Sequence, residues 1–325
     1  MLNRQLILVA IDHATDMKRA IDVAHRVAKE RGADVDVIQI LPRRGVRFDD
    51  RPGVRPVESH DSSVSMGARL ASMLRSGDHD GVHVRSVTLR GTPEQVIPAY
   101  IQLHQATLLV VQRDYGSSRF WRNGRVVDDL ARQSPVPLLV LPKRERFQRD
   151  REVRRILAPV DFSIASAVAL RTAANLSRRQ GARVTVAHAL TDVPRHMVFS
   201  GSEAWEVTRR LAAQLDAVAG RLRRKAAFLR LNDFDTEIAT GDAERAILEM
   251  AARTDADLIV MGVAHRSWLD RMLFGSTLRR VLRRSTVPVL VVPVVAGAYR
   301  WPDERGFNQL GSSVWAELGA GWTAA

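Results

Sequence analysis

Short apolar runs recur along this chain, each followed by a longer stretch whose apolar positions return every three or four residues. In the C-terminal half, Ile156–Val160 is a continuous apolar run, which predicts a fully buried strand. Residues 163–181 are alanine-rich with helical periodicity, with Ser163 placed to cap that helix and Gly181 to close it. Further strands are predicted over Arg183–Ala189, Phe234–Ala239, Leu258–Met261 and Val287–Val292, and further helices over 202–230, 242–254 and Ser276–Arg284. Strands alternating with helices imply βαβ units, right-handed crossovers and a parallel sheet covered on both faces.

The pattern is written twice. Leu6–Ile11 ends in Asp12 as Ile156–Val160 ends in Asp161, 149 positions on. Gly91-Thr-Pro-Glu returns as Gly241-Asp-Ala-Glu after 150 positions, and the run from Ser134 to Pro142 returns from Ser285 to Pro293 after 151. Three landmarks in one order at one spacing predict two domains of the same fold, over residues 1–145 and 154–297. The charged run 143–153 between them reads as a solvated linker. A tail over 298–325 carries Trp301, Trp315 and Trp322 with little periodicity.

Composition narrows the chemistry. With 325 residues and a 46% apolar fraction, each half is long enough to bury a core. The absence of cysteine removes disulfides, thiolate metal sites and a cysteine nucleophile. No run of about 18 apolar residues predicts a membrane span, and Leu6–Ile11 is too short for a signal peptide core. A cytoplasmic setting is therefore expected. The net charge of +13 fits either a self-repelling surface or attraction to polyanions. Arg279, Arg280, Arg283 and Arg284 form a basic face on the last helix, read as a solvated surface or a contact for an acidic partner. No motif supports specific nucleic-acid binding.

In an open parallel sheet, ligands sit beyond the carboxyl ends of the strands where strand order reverses. Asp161 follows the first strand of the second half. Gly262 ends the fourth, and Gly275, Ser276 and Thr277 lead into the last helix. Glycines admit backbone N–H groups close to a phosphate, and a helix N-terminus adds unpaired N–H groups and hydroxyls. The same residues can also simply end a strand and cap a helix. Asp242 and Glu244 read as first-turn helix residues. There is no P-loop, no dinucleotide fingerprint, no nucleophile elbow, no second metal ligand near His265 and no acid or nucleophile paired with Asp161.

Val160-Asp161-Phe162-Ser163, the spacing Gly262-x2-His265-x9-Gly275-Ser276 and the ending Val287-Pro-Val-Leu-Val-Val-Pro293 together resemble the universal stress protein family. The resemblance covers 154–293 well and 4–142 more weakly. It implies two tandem Rossmann-like domains of the adenine nucleotide alpha hydrolase-like type. Each would be an α/β domain with a five-stranded parallel sheet of order 3-2-1-4-5. It also implies an adenine nucleotide site, ATP with Mg2+ for instance, at Asp161, Ala189, Gly262, Gly275, Ser276 and Thr277. His265 stands at the family's second glycine, where its side chain either occupies phosphate space or, with Arg266, contacts the phosphate. In the first half Gln112 and Tyr115 replace the first two glycines, and Arg125 follows Gly124 where serine is expected. The phosphate cradle there reads as lost, and that half as a structural partner in an intramolecular pseudo-dimer. A homodimer is the other pairing such domains make. The leading expectation is a cytoplasmic stress-response sensor binding nucleotide in its second half. The alternatives are a protein-interaction module with vestigial crevices and a slow ATPase.

Overall fold

In the computed structural model the described residues are 4–11, 17–41, 81–113, 125–142, 152–190, 231, 234–264 and 276–294, with scattered helical positions between 213 and 226. Residues up to Val294 belong to one unit; 295–325, including the tryptophans of the tail, lie outside the described residues. The apolar runs become strands because only a sheet covered on both faces buries every side chain of such a run. In the first half the order is β1 (Leu6–Ile11), α1 (Met17–Arg31), β2 (Asp34–Leu41), β3 (Val84–Arg90), α2 (Pro93–His104), β4 (Ala106–Gln112), α3 (Arg125–Gln133) and β5 (Leu138–Leu141). The second half repeats it as β6 (Arg155–Pro159), α4 (Ile164–Gln180), β7 (Arg183–Leu190), β8 (Phe234–Thr240), α5 (Ala243–Arg253), β9 (Leu258–Ala264), α6 (Ser276–Arg284) and β10 (Val289–Val294).

The ten described strands form one sheet in the order β3-β2-β1-β4-β5-β10-β9-β6-β7-β8. Each half is therefore a parallel 3-2-1-4-5 sheet, as expected. The two join where Val289, Leu290 and Val291 pair antiparallel with Val140, Leu139 and Leu138. One apolar core runs across this seam. Ile97 and Ile101 of α2, Leu130 of α3, Met250 of α5 and Val281 of α6 meet alternate strand residues such as Leu109, Val140, Ile259 and Val291. On the opposite face lie α1 and α4, whose ends meet where Gln180 Nε2 donates to Glu30 Oε2 at 3.3 Å.

Local chemistry matches the helix reading closely. Ser163 Oγ accepts the Ser166 N–H at 3.2 Å, and Gly181 closes α4 with φ 66°. The last strand begins at Val289, two residues later than expected. The Ser285 hydroxyl donates to the Val287 carbonyl at 2.6 Å and accepts its N–H at 3.2 Å, holding 285–287 in a turn. The helix expected over 202–230 falls largely outside the described residues; the described positions there, among them Asp216 and Arg224, are helical.

The basic face expected on α6 takes a different form. Arg280 lies 3.2 Å from the Asp242 carboxylate, Arg284 lies 3.1 Å from the buried Glu244, and Arg283 donates to Asp128 across the seam at 2.6 Å. Arginine clusters in sequence, but the fold supplies each of these three with an internal carboxylate. Burial pushes the Asp128 carboxyl up, while Arg283 and then Arg279 pull against it. Also across the seam, the Arg113 guanidinium donates to the carbonyls of Leu282 and Ser285, capping the C-terminal end of α6.

The first half carries a buried polar knot that joins β2, β3 and α2. Asp36 accepts two hydrogen bonds from Arg85, at 2.8 and 2.7 Å, and one from the Tyr100 hydroxyl at 2.7 Å. Burial first, and then the Asp36 hydrogen bond and charge, push the Tyr100 phenol up to about 12. The neutral phenol is thus favoured in the folded state. Its contribution is complete below the ordinary tyrosine value of about 10 and is lost as pH rises through about 12. A tyrosinate absorbance titration is expected to show a phase near pH 12 that Tyr100→Phe removes. The same variant is expected to lower unfolding stability at pH 7 by about 1.5–3 kcal/mol, the range for a bond to a charged partner.

Candidate functional site

At the carboxyl edge of the second half, β6 parts from its neighbours early. It pairs with β9 only at Ile156↔Leu258 and Leu157↔Ile259. In the first half, β1 follows β4 through Ala10↔Val111. The cause is one residue. Val160 N–H bonds to the Ala187 carbonyl on the β7 side at 2.7 Å, so the backbone nitrogen of residue 159 faces β9. That residue is proline, which has no hydrogen to donate. Ala10 holds the equivalent place in the first half.

Past this opening the chain turns into α4. Asp161 Oδ1 accepts the Ser163 N–H at 2.9 Å. Burial acts to raise the Asp161 pKa, but hydrogen bonds from the Ser163 hydroxyl and N–H and from Ser166 outweigh it. The carboxyl is held below its usual range and is ionised at neutral pH. Phe162 adopts φ 63°, a left-handed conformation that costs a bulky residue about 1–3 kcal/mol. It is held there by burial and by the His188 ring, 5.0 Å away and tilted by 45°.

Gly262 fixes how closely α4 approaches. A Cβ on residue 262 would lie 1.9 Å from the Ala165 carbonyl oxygen and 2.3 Å from its carbon. The missing side chain therefore makes room for the first turn of α4, a constraint other than the phosphate approach for which sequence singles this glycine out. The equivalent residue in the first half is Gln112. It lies in one row with Ile11 and the buried Gln39. Two glutamines thus fill the row that His188, Val160 and Gly262 form in the second half.

Asp161, Ala189 and Gly262 all lie at the carboxyl edge, at the ends of β6, β7 and β9. Ser276 and Thr277 open α6 at this same edge, because Arg280 holds Ser276 Oγ at 3.5 Å while pairing with Asp242, which follows the end of β8. His265, Arg266 and Gly275 lie outside the described residues, as do Asp12, Tyr115 and Gly124. Asp242 caps α5, accepting the Arg245 N–H at 3.3 Å, as expected. A cavity of about 360 Å³ lies at the opposite edge of the sheet, between the ends of α5 and α6, and is separate from this crevice.

Three residues that matter here escape the sequence reading. Pro159 was legible: a proline inside a central strand signals a broken ladder. His188 is a lone polar residue among the inward positions of Val184 and Val186, and its Nδ1 lies 2.6 Å from the Val160 carbonyl. The left-handed Phe162 leaves no mark in sequence.

Comparison with known proteins places the chain in a family. The model of the universal stress protein family matches residues 3–142 and 152–293. A universal stress protein of Methanocaldococcus jannaschii is 31% identical over 139 residues, covering 43% of this chain and 81% of that protein. One from Mycobacterium tuberculosis is 27% identical over 175 residues, 52% of this chain; the match spans only 58% of that relative's length. A solved universal stress protein from Archaeoglobus fulgidus superimposes with a TM-score of 0.61 at 18% identity, covering 90% of this chain and 97% of its own. Another from that organism, solved in complex with dAMP, matches 43% of this chain and 98% of its own at 20% identity and a TM-score of 0.32.

Gly262→Ala tests the packing. The Ala165 carbonyl belongs to the backbone and has no rotamer to yield, so α4 must shift. The expected loss is about 1–3 kcal/mol or more in denaturant unfolding. Gln112→Ala, in the first half, is expected to change stability by less.

Proposed function

We propose, for a chain that belongs to the universal stress protein family, that its second half binds ATP or a related adenine nucleotide and its first half does not. The observation that carries this is the early parting of β6 from β9, against the longer pairing of β1 with β4. The opening exposes the carboxyl end of the sheet where strand order reverses, the usual ligand position of such folds. In this reading the base lies over the end of β7 at Ala189. The ionised Asp161 takes the ribose hydroxyls, an acceptor suited to donors. The phosphates extend toward the N-terminus of α6, where Ser276, Thr277 and the preceding Gly275 offer N–H and hydroxyl donors. In this reading His265 and Arg266, which lie outside the described residues, contact the phosphates. Mg2+ would arrive with the phosphates: among the described residues, no three His, Cys, Asp or Glu side chains gather to hold a metal.

The first half serves as a fixed partner within the chain, an internal counterpart of a subunit, with domains over 1–145 and 154–297 and 298–325 as a tail. Binding reports nucleotide state to a protein partner in the cytoplasm as part of a stress response. A second reading, an interaction module with vestigial crevices, would use the α6 arginines, which pair with carboxylates of the chain yet stay exposed. Turnover is not part of this reading: the serine hydroxyl beside Asp161, that of Ser163, caps α4.

ATP titration calorimetry on the full chain tests the proposal. Wild type is expected to bind about one ATP per chain, and Gly275→Val to bind none. Pro159→Ala restores a donor facing β9, and is expected to weaken binding roughly tenfold as the strands pair further. Asp12→Asn is expected to bind as wild type. No heat at millimolar ATP, or equal losses from Asp12→Asn and Asp161→Asn, would contradict it.

A further inference from the structure

The end of β7 shows a hydrogen bond that has changed hands. Arg183 N–H bonds to the Arg154 carbonyl, and the Ala187 carbonyl accepts from Val160 N–H, so odd positions of β7 face β6. Even positions face β8, as the Leu190 carbonyl does in accepting from Gly241 N–H. Continued regularly, the ladder would have Ala189 N–H donate to the Val160 carbonyl. No such bond forms. That carbonyl instead lies 2.6 Å from His188 Nδ1. A carbonyl only accepts, so the ring must carry its hydrogen on Nδ1.

His188 is well placed for this exchange. Its side chain lies on the α4 face, in one row with Val160 and Gly262. Its ring rests against Phe162, whose left-handed backbone turns the chain away from β7 directly after Asp161. The histidine thus satisfies the last carbonyl of β6 and lets the strand end there. Ala189 is left with an N–H and a C=O that face the gap β6 has vacated, with no partner among the described residues. Side by side, these groups offer one donor and one acceptor. A nucleobase with an acceptor ring nitrogen next to an amino group complements them.

We infer that His188 is a positioning residue that keeps the base end of the crevice open, by taking the Val160 carbonyl from Ala189 N–H and leaving the Ala189 backbone edge free for an amino-bearing nucleobase. The base-binding part rests on the proposal that the second half binds adenine nucleotide; the hydrogen-bond exchange does not. In the first half the same position is Gln39, which is buried, and β1 stays in register with β2 through Ile11↔Gln39.

Amide hydrogen exchange of Ala189, followed by NMR on the full chain, tests the exchange directly. In ligand-free wild type the Ala189 amide is expected to exchange quickly while that of Ala187 is protected, and added ATP is expected to slow it. In His188→Leu the carbonyl becomes available, so Ala189 is expected to be protected without ATP, and ATP affinity to fall roughly tenfold. His188→Asn keeps a donor at a similar reach and is expected to restore the wild-type pattern. A protected Ala189 amide in ligand-free wild type would overturn the inference, whether or not the variants fold. So would unchanged ATP affinity in a folded His188→Leu. If wild type binds no ATP, the nucleotide reading fails, and the ligand-free exchange rates still decide the role of His188.

Discussion

The absent amide hydrogen of Pro159 sets the shape of the second half. A central strand normally holds both neighbours along its length, and β1 does so nearly to its end. At Pro159 the ladder toward β9 loses a donor, and one residue later the ladder toward β7 passes to a side chain. The chain is then free to turn, and the turn carries Asp161. Ser163 caps α4 two residues later, so strand end, carboxylate and helix cap fall within the five residues from Pro159 to Ser163. Gly262 completes the arrangement by letting that helix rest on β9.

The two halves differ at their carboxyl edges. Ala10, Gln39 and Gln112 stand where the second half has Pro159, His188 and Gly262. Alanine keeps the ladder paired, and the glutamines flank Ile11 in one row across the sheet. The strand order is the same in both halves despite these exchanges. The seam is asymmetric as well. Asp128 meets Arg283, while the places equivalent to these two within the repeat hold Arg279 and Arg132. Two second halves joined in the same way would set arginine against arginine.

The architecture was legible in the sequence because burial on both faces leaves an unmistakable apolar run, and because the repeat confirmed each run by its copy. Ser163 and Gly181 gave the bounds of α4, since capping is local chemistry. The site was legible in part. Asp161, Ala189 and Gly262 do converge at one edge, but the closest neighbour of Gly262 is a helix backbone that no local pattern reveals. The ion pairs of the α6 arginines were not legible, because their carboxylates lie 38 to 155 residues away along the chain. The role of His188 depends on strand pairing that ends one residue early, a tertiary event.

The most direct test of the central claim is to locate the nucleotide. Irradiating the full chain with 8-azido-ATP and mapping the labelled peptides by mass spectrometry would do so. Label confined to peptides from the second half, centred on the ends of β6 and β7, is the predicted result, with excess ATP suppressing it. Label at the matching strand ends of the first half, or none that ATP suppresses, would contradict the assignment of the site to the second half.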